Sequence, residues 1–176
     1  MKYLIPFLLI AQVSFSSAQE QHQVPKDKWT KALYLSDEFC ATKGLKPVET
    51  NGVLRAWSDA SKGKLTRVVD IRLYFSSPEE AASYLKKNLA ELSENGEVLT
   101  TKIDIPQAAN LMVLREGAGV RSMNAALGVK INMYYFVFTV KNYLAKVFVS
   151  SQNPISVNEV APYAKEAARR LTEALH

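Results

Sequence analysis

Between Val129 and Ser151 the chain reads VKINMYYFVFTVKNYLAKVFVSS, an almost unbroken run of β-branched, aromatic and aliphatic residues broken in the middle by Lys141 and Asn142. Such a run, free of Pro and Gly, predicts two strands joined by a tight turn. Strand side chains alternate, so Val129, Ile131, Met133, Tyr135 and Val137 share one face, and Lys130, Asn132, Tyr134, Phe136 and Phe138 share the other. The odd-numbered face is apolar throughout and is expected to form the main core. A two-residue turn at Lys141 and Asn142 would set Lys146 opposite Val137 and bring a charge into that layer. A three-residue turn, Lys141 to Tyr143, pairs Val137 with Val147, Tyr135 with Val149 and Phe136 with Phe148. The pattern favours this odd turn or an equivalent bulge, because a slip of one residue exchanges the two faces. The second face then carries Tyr134, Phe136, Phe138 and Phe148 beside Lys146. Those rings need cover, either from the rest of the chain or from a ligand or partner.

The same patterning places the other elements. Pro25 to Lys43 has helical spacing with Gly44 as a stop, and Ser36 is placed to cap a shorter helix over Asp37 to Lys43. Val48 to Trp57 and Lys64 to Phe75 read as strands joined by the turn residues Asp59 to Gly63. In the second, Leu65, Val69, Ile71, Leu73 and Phe75 line one side, while Thr66, Asp70 and Arg72 fall on a face expected to be wet. Ser77-Pro78-Glu79-Glu80 combines an N-cap, a first-turn proline and an acid at the capping-box position, and Ala81, Ala82, Leu85, Leu89 and Leu92 continue as a buried stripe. Asn95-Gly96 ends that helix. Glu97 to Ile105 and Asn110 to Arg115 are expected strands, and Glu116 to Gly128 lacks periodicity. Ser156 and Glu159 form a second capping box, from which a stripe of Val157, Val160, Ala164, Ala167, Ala168, Leu171 and Leu175 runs to the end of the chain. Its alanines allow close approach to a sheet, and Pro162 predicts a kink or a broken first turn. The expected fold class is α+β: a twisted antiparallel sheet of about five to six strands with helices packed mainly on one face.

Composition adds a compartment. Lys2, the apolar run Leu4 to Val13 and Ser16-Ser17-Ala18 have the form of a secretory signal peptide over residues 1–18, too short to span a bilayer as a helix. The expected organisation is that leader, a flexible lead-in over 19–25 and a single domain over 26–176, exported to the periplasm or secreted, with no membrane span in the mature chain. Cleavage would leave 158 of the 176 residues and a formal charge of +4. The Lys and Arg residues are scattered, which argues against a nucleic-acid partner. Cys40 is the single cysteine, so no intramolecular disulfide can form and core packing must supply the stability.

The histidines bound the chemistry. His22 lies in the expected lead-in and His176 is the last residue, which leaves the body without the imidazole that Ser-His-Asp catalysis, Cys-His catalysis and His-based zinc sites require. No catalytic residue, metal site or cofactor is expected. Asp37-Glu38 and Glu79-Glu80 sit where helix starts favour acids. Arg115, Gly117, Gly119 and Arg121 form a glycine-containing loop with flanking cations that could hold a carboxylate or phosphate, although it fits neither phosphate-loop pattern and also reads as a plain connector. Trp57 and Tyr74 are the other side chains placed to border a pocket.

The order of strand pair, SSPEEAASYL helix, further strands, long hairpin and closing helix resembles that of small extracytoplasmic PsbP-like domains. The resemblance implies a non-enzymatic binding, assembly or sensory module and transfers no functional residue. The expected function is that of an exported, non-catalytic ligand- or protein-binding accessory module, meeting an unknown small molecule or protein through Tyr134, Phe136, Phe138, Phe148, Lys146, Arg115 and Arg121. Two other classes stay open: a small extracytoplasmic enzyme using carboxylate and Arg chemistry, and an envelope-associated structural protein.

Overall fold

The strand-forming runs pair into one antiparallel sheet in the computed structural model, which describes residues 22–50, 54–59, 66–87, 96–99, 103–116, 121, 125–126, 128 and 131–176. The strands are β1 (Lys46–Thr50), β2 (Leu54–Asp59), β3 (Thr66–Tyr74), β4 (Gly96–Val98), β5 (Ala109–Glu116), β6 (Asn132–Val140) and β7 (Tyr143–Ser151), in the order β1-β2-β3-β7-β6-β5-β4. The leader, the turn at 60–63, Leu89 and Leu92 of the predicted helix stripe, Asn95, and Gly117 and Gly119 of the loop lie outside the described residues. The run read as a single strand from Val48 to Trp57 is divided between two strands, with Trp57 paired to Pro47, which brings the count to seven. The sequence between them contains Asn51-Gly52, the dipeptide that favours hairpin turns. The strand expected over Glu97 to Ile105 ends at Val98.

The hairpin of β6 and β7 takes the two-residue turn. Val140 pairs with Tyr143, Val137 with Lys146, Tyr135 with Phe148 and Phe136 with Val147, so the expected register is off by one. Lys141 bends the chain with φ +49°, the left-handed backbone that tight hairpin turns require. The slip exchanges the faces as the alternation rule demands. Phe136, Phe138, Val147 and Val149 form the larger core layer, and Val137 and Leu144 the smaller one. Lys146 is tolerated because it falls on the smaller layer, where it is only half-buried.

Helices cover both layers, mainly the larger. The first, α1 (Asp37–Ala41), follows a 3-10 turn at Lys31–Leu33, and the Ser36 hydroxyl accepts from the Phe39 amide at 3.0 Å. Gly44, at φ +76°, stops it as predicted. Across the larger layer lies α3 (Val157–Ala174), whose Ala164, Ala167 and Ala168 are fully buried against the sheet's aromatic residues. It runs continuously through Pro162, with the first turn fixed by the capping box of Ser156 and Glu159 rather than broken. The smaller layer is covered by α2 (Pro78–Lys87), which buries Ala81 and Leu85 beside Leu73, Val137 and Leu144. Its Glu80 amide donates to the Ser77 hydroxyl at 3.1 Å, but the Glu80 carboxylate reaches one residue further back, to the Ser76 amide at 2.9 Å. The lead-in is docked from His22 onward: the His22 ring stacks on Phe75 at 4.3 Å and meets Tyr84 at 5.2 Å, and Val24 is buried.

Candidate functional site

Charge enters the larger layer from β2 and β3. Alternation puts Asp70 and Arg72 on the same side as Val68, and that side, expected to be wet, is the one beneath α3: both residues are 0% exposed and Arg55 is 4% exposed. A buried charge must be paired and hydrogen-bonded to be tolerated, and these are. The Arg72 guanidinium grips the Asp70 carboxylate through both terminal nitrogens, donates from Nε to the Leu33 carbonyl at 3.0 Å and reaches the Ala167 carbonyl of α3 at 3.5 Å. Asp70 also accepts from the Leu35 amide at 2.8 Å. Arg55 donates to the Leu35 carbonyl at 3.2 Å and to both oxygens of Asp37 at 2.8 and 2.9 Å, while the Trp57 indole N–H donates to Asp37 at 2.8 Å. From α3, Arg170 donates to the Tyr34 carbonyl at 2.6 Å. The backbone from Leu33 to Leu35 is thus clamped between sheet and helix.

The protonation behaviour follows from burial. Asp70 is pushed up to about 6 by desolvation, against the opposing pull of Arg72 and the Leu35 amide. For Asp37 burial acts upward too, but the hydrogen bonds from Trp57 and Arg55 outweigh it and hold the carboxyl below its usual range. Burial pushes the Cys40 thiol up to about 12, which leaves it unreactive. Among the described residues, no group of three His, Cys, Asp or Glu side chains is placed to hold a metal ion, and no helix is long and apolar enough to cross a membrane.

Clefts open on the surface among the described residues. One, of about 480 Å³, sits at the turn end of the central hairpin, where Lys28 of the N-terminal segment, Tyr74 at the end of β3, the Lys141–Tyr143 turn and the C-terminal end of α3 converge. Lys28 donates to the Tyr74 hydroxyl and lies 4.3 Å from the centre of its ring, and the Tyr74 and Tyr143 rings meet edge to face at 5.2 Å. Lys141 donates to the Leu175 carbonyl at 2.9 Å, satisfying an end-of-helix acceptor. Asn142 ties the turn to β3: its side-chain amide donates to the Ser76 carbonyl at 3.0 Å and its backbone carbonyl accepts from the Phe75 amide at 2.9 Å. The second cleft, of about 500 Å³, lies beside β4 and β5 and is walled by Val98, Leu99, Ile103, Leu111 and Met112, with Asp104 as its charged residue.

The residues expected to form a contact surface are dispersed. Phe136 and Phe138 are 0% exposed in the larger core layer, which removes them from any surface of the folded protein. Tyr134 is half-buried against the same layer. Phe148 is on the opposite face, half-buried with its ring 4.7 Å from Tyr135, and Lys146 shares that face. Both correct the expectation of four rings on one side, and the cause is the one-residue difference in register. Arg115 is exposed on β5, and Arg121, also exposed, donates to the Glu116 carbonyl at 2.7 Å. Of the two side chains marked as pocket neighbours, Tyr74 lines the turn-end cleft while Trp57 is fully buried. Sequence reasoning missed Lys28 and Tyr143, which are brought to Tyr74 by the fold; the turn residues Lys141 and Asn142 were visible only as a break between strands.

No family model and no curated protein matches the chain. Among solved structures, it is similar to human StAR-related lipid transfer protein 5, at 13% identity over 78% of this chain and 93% of that one, with a TM-score of 0.29.

Proposed function

We propose that the protein is an exported, non-catalytic binding module that holds a small molecule in the cleft at the turn end of its central hairpin. The observation that carries this reading is a division of labour among the polar residues. The interior charges of Asp70 and Arg72 are spent on each other and on the backbone at Leu33, Leu35 and Ala167, and neither side chain lines either cleft. The turn-end cleft, in contrast, gathers ammonium and phenol groups from parts of the chain distant in sequence. Its volume is within the range of small-molecule sites, roughly 300 to 1,000 Å³. A non-enzymatic role is also what the element-order resemblance to PsbP-like domains implies, and export rests on the leader pattern of residues 1–18. Native mass spectrometry of the protein purified from its source host tests the reading. The expected spectrum shows a chain starting at Gln19 with a small adduct that departs on denaturation. A chain that keeps its leader contradicts export, and a bare chain under the gentlest conditions counts against the binding role.

A further inference from the structure

We infer that the ligand of the turn-end cleft is a small carboxylate with an apolar body; this rests on the binding-module reading above and names the class of ligand. The lining contains the two ammonium groups of Lys28 and Lys141 and no Asp or Glu. Each ammonium has three N–H donors. Within the protein Lys28 donates to the Tyr74 hydroxyl and Lys141 to the Leu175 carbonyl, so donors remain on both for an incoming anion. His176 completes the lining at the end of the helix, and the neighbouring side-chain acids do not fill the anion's role. Asp27 acts on Lys28 from outside the lining, and Glu173, just before the cleft's helical wall, is engaged by Arg169 at 2.5 Å.

The rest of the cleft sets the body of the ligand. Leu33, Ala174 and Leu175 give it an apolar wall, and the edge-to-face pair of Tyr74 and Tyr143 gives it an aromatic one. A bare inorganic anion would leave those walls unmatched. Phosphate recognition also favours forked guanidinium groups or converging backbone amides, whereas this lining offers ammonium point charges and contains no Arg. A carboxylate attached to a hydrocarbon or ring satisfies both halves, with its head between the lysines and its body against the phenols and leucines.

The test is a two-dimensional NMR titration of the isotope-labelled protein with octanoate, with octanamide as the neutral match and with inorganic phosphate as the bare anion. Octanoate is expected to give saturable shifts centred on the amides of Tyr74, Lys141, Asn142 and Tyr143, and the other two probes to bind at least about tenfold more weakly. Each charge removal, Lys28→Gln and Lys141→Gln, is expected to weaken octanoate by about fivefold, the size of one ion pair at close range in a solvent-exposed site. Using both variants separates charge from turn geometry, since Lys28 is outside the turn. Equal binding of octanamide and octanoate overturns the inference, as does tighter binding of phosphate. Octanoate shifts centred instead on Leu99, Ile103 and Leu111 overturn the inference while leaving a binding module in place. An absence of saturable shifts overturns the inference alone if the host-purified protein carries an adduct, and the binding role with it if no adduct is found.

Discussion

Arg72 ties three parts of the chain together. It joins Asp70 in its own strand, the Leu33 carbonyl of the N-terminal segment and the Ala167 carbonyl of the closing helix, with no exposure to water. Arg72→Met keeps much of the volume but leaves the Asp70 carboxylate buried without its counter-ion, and is expected to cost about 3 to 5 kcal/mol in urea denaturation. Replacing both residues with apolar side chains should cost less than the single change, because no uncompensated charge is left. A double variant at least as unstable as Arg72→Met would contradict this. Nothing in the residue pattern marked these charges as buried. Period-two alternation correctly separated Asp70 and Arg72 from Ile71 and Leu73, but alternation does not say which side a helix will cover.

At the scale of elements, the legible features were those written in local chemistry. Ser36, Ser77 and Ser156 all cap helices, Gly44 ends one, and the stripe of α3 buries the alanines and Leu171 that its spacing selected. The hairpin register was not legible, because both faces of β6 are apolar and the rule of keeping Lys146 out of the core assumed which face was the core. The same rule applied to the half-covered layer gives the observed pairing. The edge strand β1 carries Pro47 and an irregularity between Pro47 and Glu49, features that discourage pairing with further strands. Cap chemistry also sets a pH dependence. Glu159 is held below its usual range by the hydroxyl and amide of Ser156. A lowered carboxylate pKa contributes stability that is complete above the unfolded value and lost as pH falls through the folded one. Glu159→Gln should therefore lower the melting temperature near neutral pH and leave it unchanged in strong acid, where the wild-type carboxyl is protonated too. An equal deficit at both ends of a pH series of melting curves would contradict the assignment. Asp70 acts in the opposite sense: its raised value makes its own contribution shrink as pH rises towards about 6.

At the scale of the whole molecule, the α+β architecture follows from strand and helix periods that the chain displays openly, whereas the functional surface depends on which distant segments meet. Lys28, Tyr74, Tyr143 and Leu175 share a cleft only because the N-terminal segment and the closing helix are both fastened to the sheet. Our central claim is that the interior charges of β2 and β3 do that fastening and so hold the cleft together. Hydrogen–deuterium exchange of Arg72→Met beside the wild type measures it directly. The account predicts that amides of 33–37 and of 163–171 lose protection together while the β6–β7 ladder keeps its own. Unchanged exchange in both segments, or a loss confined to β3, would contradict it.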